Sequence, residues 1–394
     1  MIMHAVLGNP DHLEYGVATI PFPIPKDQYD YCMEMLEALE IGDPHKKDCK
    51  VQAIDSFYSV LKITENLRVN LDELDYLARR LESFDVGEAA QFQAMAHKLE
   101  LFELKDLINL TFCCQQATVI TDFSNLEAIG RDHYMNLHGG CANTQELEAL
   151  DGAETARLLI DSGGGTITPY GVVYSNGMKL EQHYDGQHFP AYLYEPCMLM
   201  MALTSRLEPE DTENVTWLYL PAAKGQIERA MARSGIADPE NMCFLLAETT
   251  LPNEVDAVLN FRQESIYELN DLAAAIEKLS LEDRRKLEAA IIIAEPECAS
   301  QISQLAENLA LFDFVPDAKT PEDYGRYVIQ KSGHFEYDEN LEQYYDYARY
   351  GQQRMDEEFG EFSDYGYIAY KGFVSLEELM AGIQSERLQM GGLT

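Results

Sequence analysis

Positive charge is what this sequence has least of: 29 lysines and arginines face 68 aspartates and glutamates, a formal net charge of −39 over 394 residues. That shortage argues against direct nucleic-acid binding, because gripping phosphates takes clustered Lys and Arg. Long apolar runs are missing as well, with no stretch of about 18 apolar residues to read as a membrane span. The eight cysteines contain no C-x-x-C pair, and the N-terminus has no charged region followed by an apolar core. The expectation is a reduced, cytoplasmic protein with buried or free thiols.

What is present is enough to fold. A hydrophobic content of 46% with 10% aromatics can bury real cores in two or more domains, so disorder is a poor account of the charge. The surplus far exceeds the magnitude of roughly 2 to 8 that keeps a small domain soluble. Self-repulsion on that scale costs stability, which implies an offsetting benefit. Ordinary acidic solubility and adaptation to high salt are the bland readings. High salt sits badly with 23 tyrosines, and a basic partner surface is the third reading.

No catalytic set rises above background. The triple glycine Gly163 to Gly165 lacks the Lys-Ser/Thr of a P-loop and leads toward a strand, so it reads as a turn. His183 and His188 lie five apart around Asp185, which is not a usual zinc spacing. Cys113 and Cys114, with His97 or His133 as an imaginable base, fall in the apolar run "LINLTFCCQQATVI" and read as core. Carboxylates are so numerous that some pair always resembles a general acid and base, so their abundance is no evidence for hydrolysis. The expectation is no enzyme, no metal and no cofactor.

The chain echoes itself. "LDELDYLARRLESFD" at 71 to 85 lines up with "IYELNDLAAAIEKLS" at 266 to 280, an offset of 195 residues at which Leu74, Leu77, Ala78 and Glu82 meet Leu269, Leu272, Ala273 and Glu277. At the same offset Asp43 and Pro44 meet Asp238 and Pro239, Ala94 meets Ala289, Gly130 and Arg131 meet Gly325 and Arg326, and Tyr170 and Gly171 meet Tyr365 and Gly366. This reads as a tandem duplication joined near 190 to 215. Each copy holds an α+β segment ("ATIPFPI", "QYDYCMEMLEAL", "CKVQAID"; then "TWLYLP", "GQIERAMARSG", "MCFLLAE"), a helical segment, and a mixed segment closed by the strand "GVVYSNG" or "GYIAYKG". Leu71, Leu74, Leu77 and Leu81, and again Leu269, Leu272, Ile276 and Leu279, recur at helical spacing. Ser375 and Glu378 fit a capping box that opens a last helix. The fold expectation is α+β: an elongated chain of small mixed and helical modules in two tandem repeats. Its boundaries are 1–62, 63–116, 117–195, 196–261, 262–315 and 316–394.

The densest acid and tyrosine stretch runs from 334 to 372 and begins "HFEYDENLEQYYDYARYGQQ". If "LEQYYDYARY" is helical, Glu342 and Asp346 share one face at i and i+4, a repulsion of a few tenths of a kcal/mol in an isolated helix. Asp356, Glu357, Glu358, Glu361 and Asp364 follow, answered locally by Arg349 and Arg354 alone. B-DNA presents one charge per about 1.7 Å of axis, so 39 surplus charges match roughly 66 Å of duplex. An acidic rod of that kind suits a DNA-binding groove, its carboxylates standing in for phosphates.

The same stretch resembles the C-terminal signature of the ArdA antirestriction proteins. Its positions here are Leu341, Glu342, Tyr344, Asp346, Tyr350, Gly351, Gly366, Tyr367 and Ile368, with "ELNDLA" resembling the family's middle module. The resemblance covers about 262 to 372, with a weaker echo at about 67 to 175. It implies a mimic of B-DNA, encoded by mobile elements, that occupies the DNA-binding groove of type I restriction-modification enzymes and inhibits them by competition. The acidic surface it implies comprises Glu336, Asp338, Glu339, Glu342, Asp346, Asp356, Glu357, Glu358, Glu361 and Asp364. It also implies dimers, met either by two halves in one chain or by a homodimer. Two departures stand out: Gln352 and Gln353 follow the Tyr-Gly where members often carry Arg-Asp, and the chain is about twice the family length. Its first copy, "ELEALDGAETARLLIDSGGG", has lost most of the tyrosines and acids of this region and reads as a spacer or as a body with a different target. An acidic adaptor for another basic DNA-associated protein is the alternative.

Overall fold

The computed structural model describes residues 1–206, 215–236, 241–333 and 336–382. Asp238, Pro239, His334 and Phe335, named or quoted above, lie outside the described residues. The fold is α+β. Two compact units emerge: one built on Met1–Glu195 with Asp211–Trp217 and Ala223–Glu240, the other on Asn241–Thr394 with Pro196–Glu210 and Leu218–Ala222.

The first unit opens with β1 (Met3–Gly8), β2 (Val17–Phe22), α1 (Tyr29–Glu37), β3 (Cys49–Ser56) and the short β4 (Arg68–Val69). The strands form an antiparallel sheet in the order β2-β1-β3-β4. Alternate residues of β1, Met3, Ala5 and Leu7, are buried, as one covered face of a sheet requires. Next comes α2 (Leu71–Glu82), whose Leu71, Leu74, Leu77 and Leu81 are all buried. Asn70 caps it by accepting from the Asp72 and Glu73 N–H groups, at 3.0 and 3.1 Å. Helices α3 (Val86–Lys98) and α4 (Leu104–Leu110) complete the helical layer; a capping box of Asp85 and Glu88 starts α3.

The unit closes with β5 (Thr118–Ile120), α5 (Leu126–Leu137), α6 (Thr144–Ala149), α7 (Gly152–Asp161), β6 (Thr166–Thr168) and β7 (Gly171–Tyr174), in sheet order β5-β7-β6. Gly163 to Gly165 form the turn between α7 and β6. Cys113 and Cys114 are core, and burial pushes both thiols up, away from nucleophilic chemistry.

The second unit's sheet has β8 (Leu199–Ser205) at its centre between β10 (Met242–Thr249) and β9 (Thr216–Leu220). Six successive residues of β8 are buried, so its period-two signal vanishes and the sequence hides the strand. The helix after β9, α8 (Lys224–Arg233), packs within the first unit. There Arg229 Nε lies 2.7 Å and Arg233 Nη1 3.2 Å from the two oxygens of Asp72. The second unit continues through α9 (Asn253–Val258), α10 (Ile266–Glu277), α11 (Leu281–Ala294) and α12 (Ala299–Glu307). It ends with β11 (Phe312–Val315), α13 (Pro321–Gln330), α14 (Tyr347–Glu358), β12 (Glu361–Ser363), β13 (Gly366–Tyr370) and α15 (Leu376–Met380), in sheet order β11-β13-β12. Ser375 and Glu378 form the capping box of α15.

Candidate functional site

The acid-rich region is organised by the crossing of α13 and α14. Thr320 caps α13 with Pro321 in its first turn, and Asp346 caps α14 by accepting from the Arg349 N–H at 3.1 Å. The helices meet at Gly325 and Gly351. A Cβ on Gly325 would fall 2.0 Å from the Tyr347 carbonyl oxygen, and one on Gly351 would fall 1.8 Å from that of Pro321. Only glycine permits this approach, which brings α14 and its acids down onto the sheet.

Glu342 and Asp346 do not share a helix face. Glu339–Tyr344 is a 3-10 turn, Tyr345 is extended, and Asp346 stands outside α14 as its cap, so the expected i, i+4 pair is corrected. An Asp with a hydrogen-bonded cap to make opens a new helix rather than continuing an old one. Glu342 instead meets Arg326 Nη1 at 3.0 Å, while the Arg326 guanidinium lies 4.4 Å from the Tyr347 ring centroid.

Glu358 is the one expected surface acid that turns inward, its side chain 10% exposed. Its Oε2 accepts from Tyr324 Oη at 2.5 Å and Tyr367 Oη at 2.8 Å, and its Oε1 pairs with Arg354. The two tyrosine rings stack with centroids 3.7 Å apart. Burial first, and the hydrogen bond to Glu358 next, push both phenols above their ordinary range. Glu358 is therefore the polar centre of this core rather than part of its surface.

The remaining expected acids face water: Glu336, Asp338, Glu339, Glu342, Asp346, Asp356, Glu357, Glu361 and Asp364 are all exposed. Asp338 is partly engaged, accepting from the Asn340 N–H at 2.9 Å. Asp356 and Glu357 occupy the last turn of α14, where the helix dipole opposes negative charge by roughly 0.3–1 kcal/mol each at low salt. Their hydrogen-bond donors are largely neutral. Gln352 Nε2 donates to Asp356 and Gln353 Nε2 to Glu357, both at 2.8 Å, and Arg354 reaches Glu357 only at 3.4 Å. Gln352 and Gln353 thus orient two carboxylates without cancelling them, a role that only the i, i+4 spacing could have suggested. The tyrosines pack inward: Gln330 Nε2 donates to both Tyr337 Oη and Tyr347 Oη at 3.0 Å. Tyr344, 75% exposed, is the exception.

Elsewhere, His183 pairs with Glu181 and His188 with Asp185, each at 3.0 Å. Among the described residues no group of three or more His, Cys, Asp or Glu is placed to hold a metal, and no helix is long and apolar enough to cross a membrane.

No curated protein matches the chain. Residues 214–369 match the family model described as antirestriction protein (ArdA), a span that runs from the start of β9 into β13 and contains the whole α13–α14 crossing. Over those residues the chain is similar to the ArdA antirestriction proteins.

Proposed function

We propose that the second unit inhibits a type I restriction-modification enzyme by occupying its DNA-binding groove, with exposed carboxylates in the place of backbone phosphates. The observation that carries this reading is the last turn of α14. Asp356 and Glu357 stand where the helix dipole disfavours them, and neutral glutamines hold them out, an arrangement that forgoes stability to keep net negative charge on display. Glu361 and Asp364 extend the exposed charge beyond the helix. A basic groove meeting this surface exchanges its counterions for fixed carboxylates, as it does with DNA. The protein acts as a reversible competitor and performs no chemistry on its target.

Restriction of unmodified duplex by the purified enzyme, measured at rising duplex concentration with a fixed amount of this protein, tests the reading. Competition requires that excess duplex restore cleavage. Inhibition that no excess of duplex relieves excludes it.

A further inference from the structure

We infer that residues 3–174 and 199–370 are two copies of one fold that have diverged where the acidic surface lies. The principal elements follow the same order in both: a sheet with its first strand between its second and third and a helix between the second and third strands, a helical layer, then a three-stranded sheet with its last strand central; β4 and α6 of the first copy and α9 of the second have no strand or α-helix opposite them. Detailed contacts recur at paired positions. After the second strand, the Ile24 N–H donates to Asp75 Oδ1 and the Ala222 N–H to Asn270 Oδ1, both at 2.7 Å. In the last hairpin, Thr168 Oγ1 donates to the Gly171 carbonyl at 2.8 Å and Ser363 Oγ to that of Gly366 at 3.0 Å. The N–H groups of Tyr170 and Tyr365 return to those hydroxyls. Gly130 and Gly152 make the same kind of helix crossing as Gly325 and Gly351: a Cβ on Gly130 would fall 1.8 Å from the Gly152 carbonyl oxygen.

Register from these anchors pairs Tyr324, Glu358 and Tyr367 with Ile129, Leu159 and Val172. The first copy therefore fills with an apolar cluster the place where the second has its carboxylate between two phenols. Volume is conserved by partner changes: Met355 corresponds to Ala156, and Ala369 to Tyr174. On the outside, Asp356 and Glu357 correspond to Arg157 and Leu158, the latter 64% exposed. The divergence is local, since residues 1–195 hold 31 acids against 13 Lys and Arg, and residues 196–394 hold 37 against 16. The first copy's matching helix end thus offers a cation and an apolar side chain where the second displays two carboxylates.

The pairing is testable without any restriction enzyme, so its failure is distinct from failure of the competitor reading. In the full chain, the core of the first copy is moved into the second: Tyr324→Ile, Met355→Ala, Glu358→Leu, Tyr367→Val and Ala369→Tyr together. A permuted control carries Tyr324→Val, Met355→Tyr, Glu358→Ala, Tyr367→Leu and Ala369→Ile. Thermal unfolding of the transplant stays cooperative within about 5 °C of the unchanged protein, while the permuted chain and Glu358→Leu alone fall by about 10 °C or more. A transplant that melts as low as the permuted chain, or fails to fold, overturns the pairing.

Discussion

Gly325 and Gly351 face each other backbone to backbone, with so little room that a Cβ on Gly351 would also stand 2.8 Å from the Gly325 nitrogen. Every feature of the acidic surface on α14 depends on that contact. Gly351→Ala is expected to force the helices apart and cost about 3 kcal/mol or more, lowering the unfolding temperature of the second unit by roughly 6–12 °C. Calorimetry of the full chain checks this, and Gly152→Ala should do the same to the first unit.

Neighbouring glutamates should separate stability from inhibition. Glu358→Ala leaves the Tyr324 and Tyr367 hydroxyls buried without their acceptor, at an expected cost of roughly 2–4 kcal/mol. Glu357→Gln, one residue earlier and exposed, relieves an unfavourable dipole contact, so its stability is unchanged or slightly raised while inhibition weakens. Paired denaturation and inhibition curves for the two variants show whether the roles divide this way.

Charge reversal of the exposed set, Asp356, Glu357, Glu361 and Asp364 to Lys, should weaken inhibition at least about tenfold without lowering the unfolding temperature. Surface carboxylates that contribute nothing to folding can be exchanged in this way; Asp346 and Glu358 are left alone because they cap and fill. Inhibition constants at one low salt concentration, with a melt for each variant, provide the check.

Alkaline pH should unfold the chain through its phenols. Tyr324 and Tyr367 in the second unit, and Tyr29, Tyr58 and Tyr184 in the first, have folded-state pKa values raised above the ordinary 10.0, chiefly by burial. A raised folded value means that the folded state holds the proton more tightly than the unfolded one. The contribution is fully present below pH 10 and is lost as pH rises above it. Tyrosinate absorbance and circular dichroism should therefore change together above pH 10, and Tyr367→Phe should reduce the slope.

Asp72 is shared by Arg229 and Arg233, both largely buried, with side-chain exposures of 14% and 9%. Asp72→Ala leaves two guanidiniums without their carboxylate and should cost about 3–5 kcal/mol. Protease sensitivity of α8 in that variant reports whether the helix has come loose.

The sequence made legible those parts whose signal is local. The leucine stripe of α2, the Ser375–Glu378 box and the closing strands lie where their periodicity and end residues place them, and so does the stripe of α10 but for Leu279, which falls past the end of that helix and is half-buried. What it hid is tertiary. β1 and β8 are the central strands of their sheets, and β8 carries no alternation because both its faces are covered. Glu358 reads as one more surface acid until the fold brings Tyr324 and Tyr367, 34 and 9 residues away, onto its oxygen. The break between Glu342 and Asp346 was masked by a helical composition on either side of a capping aspartate.

The central claim is that this surface takes DNA's place. The most direct measurement titrates the full-length protein into a type I restriction-modification enzyme bound to labelled duplex and follows DNA release at two salt concentrations. The account predicts displacement at low salt that weakens markedly as salt rises, because the competing contacts are electrostatic. A complex that keeps its DNA at saturating protein and low salt, while the enzyme is nonetheless inhibited, would contradict it.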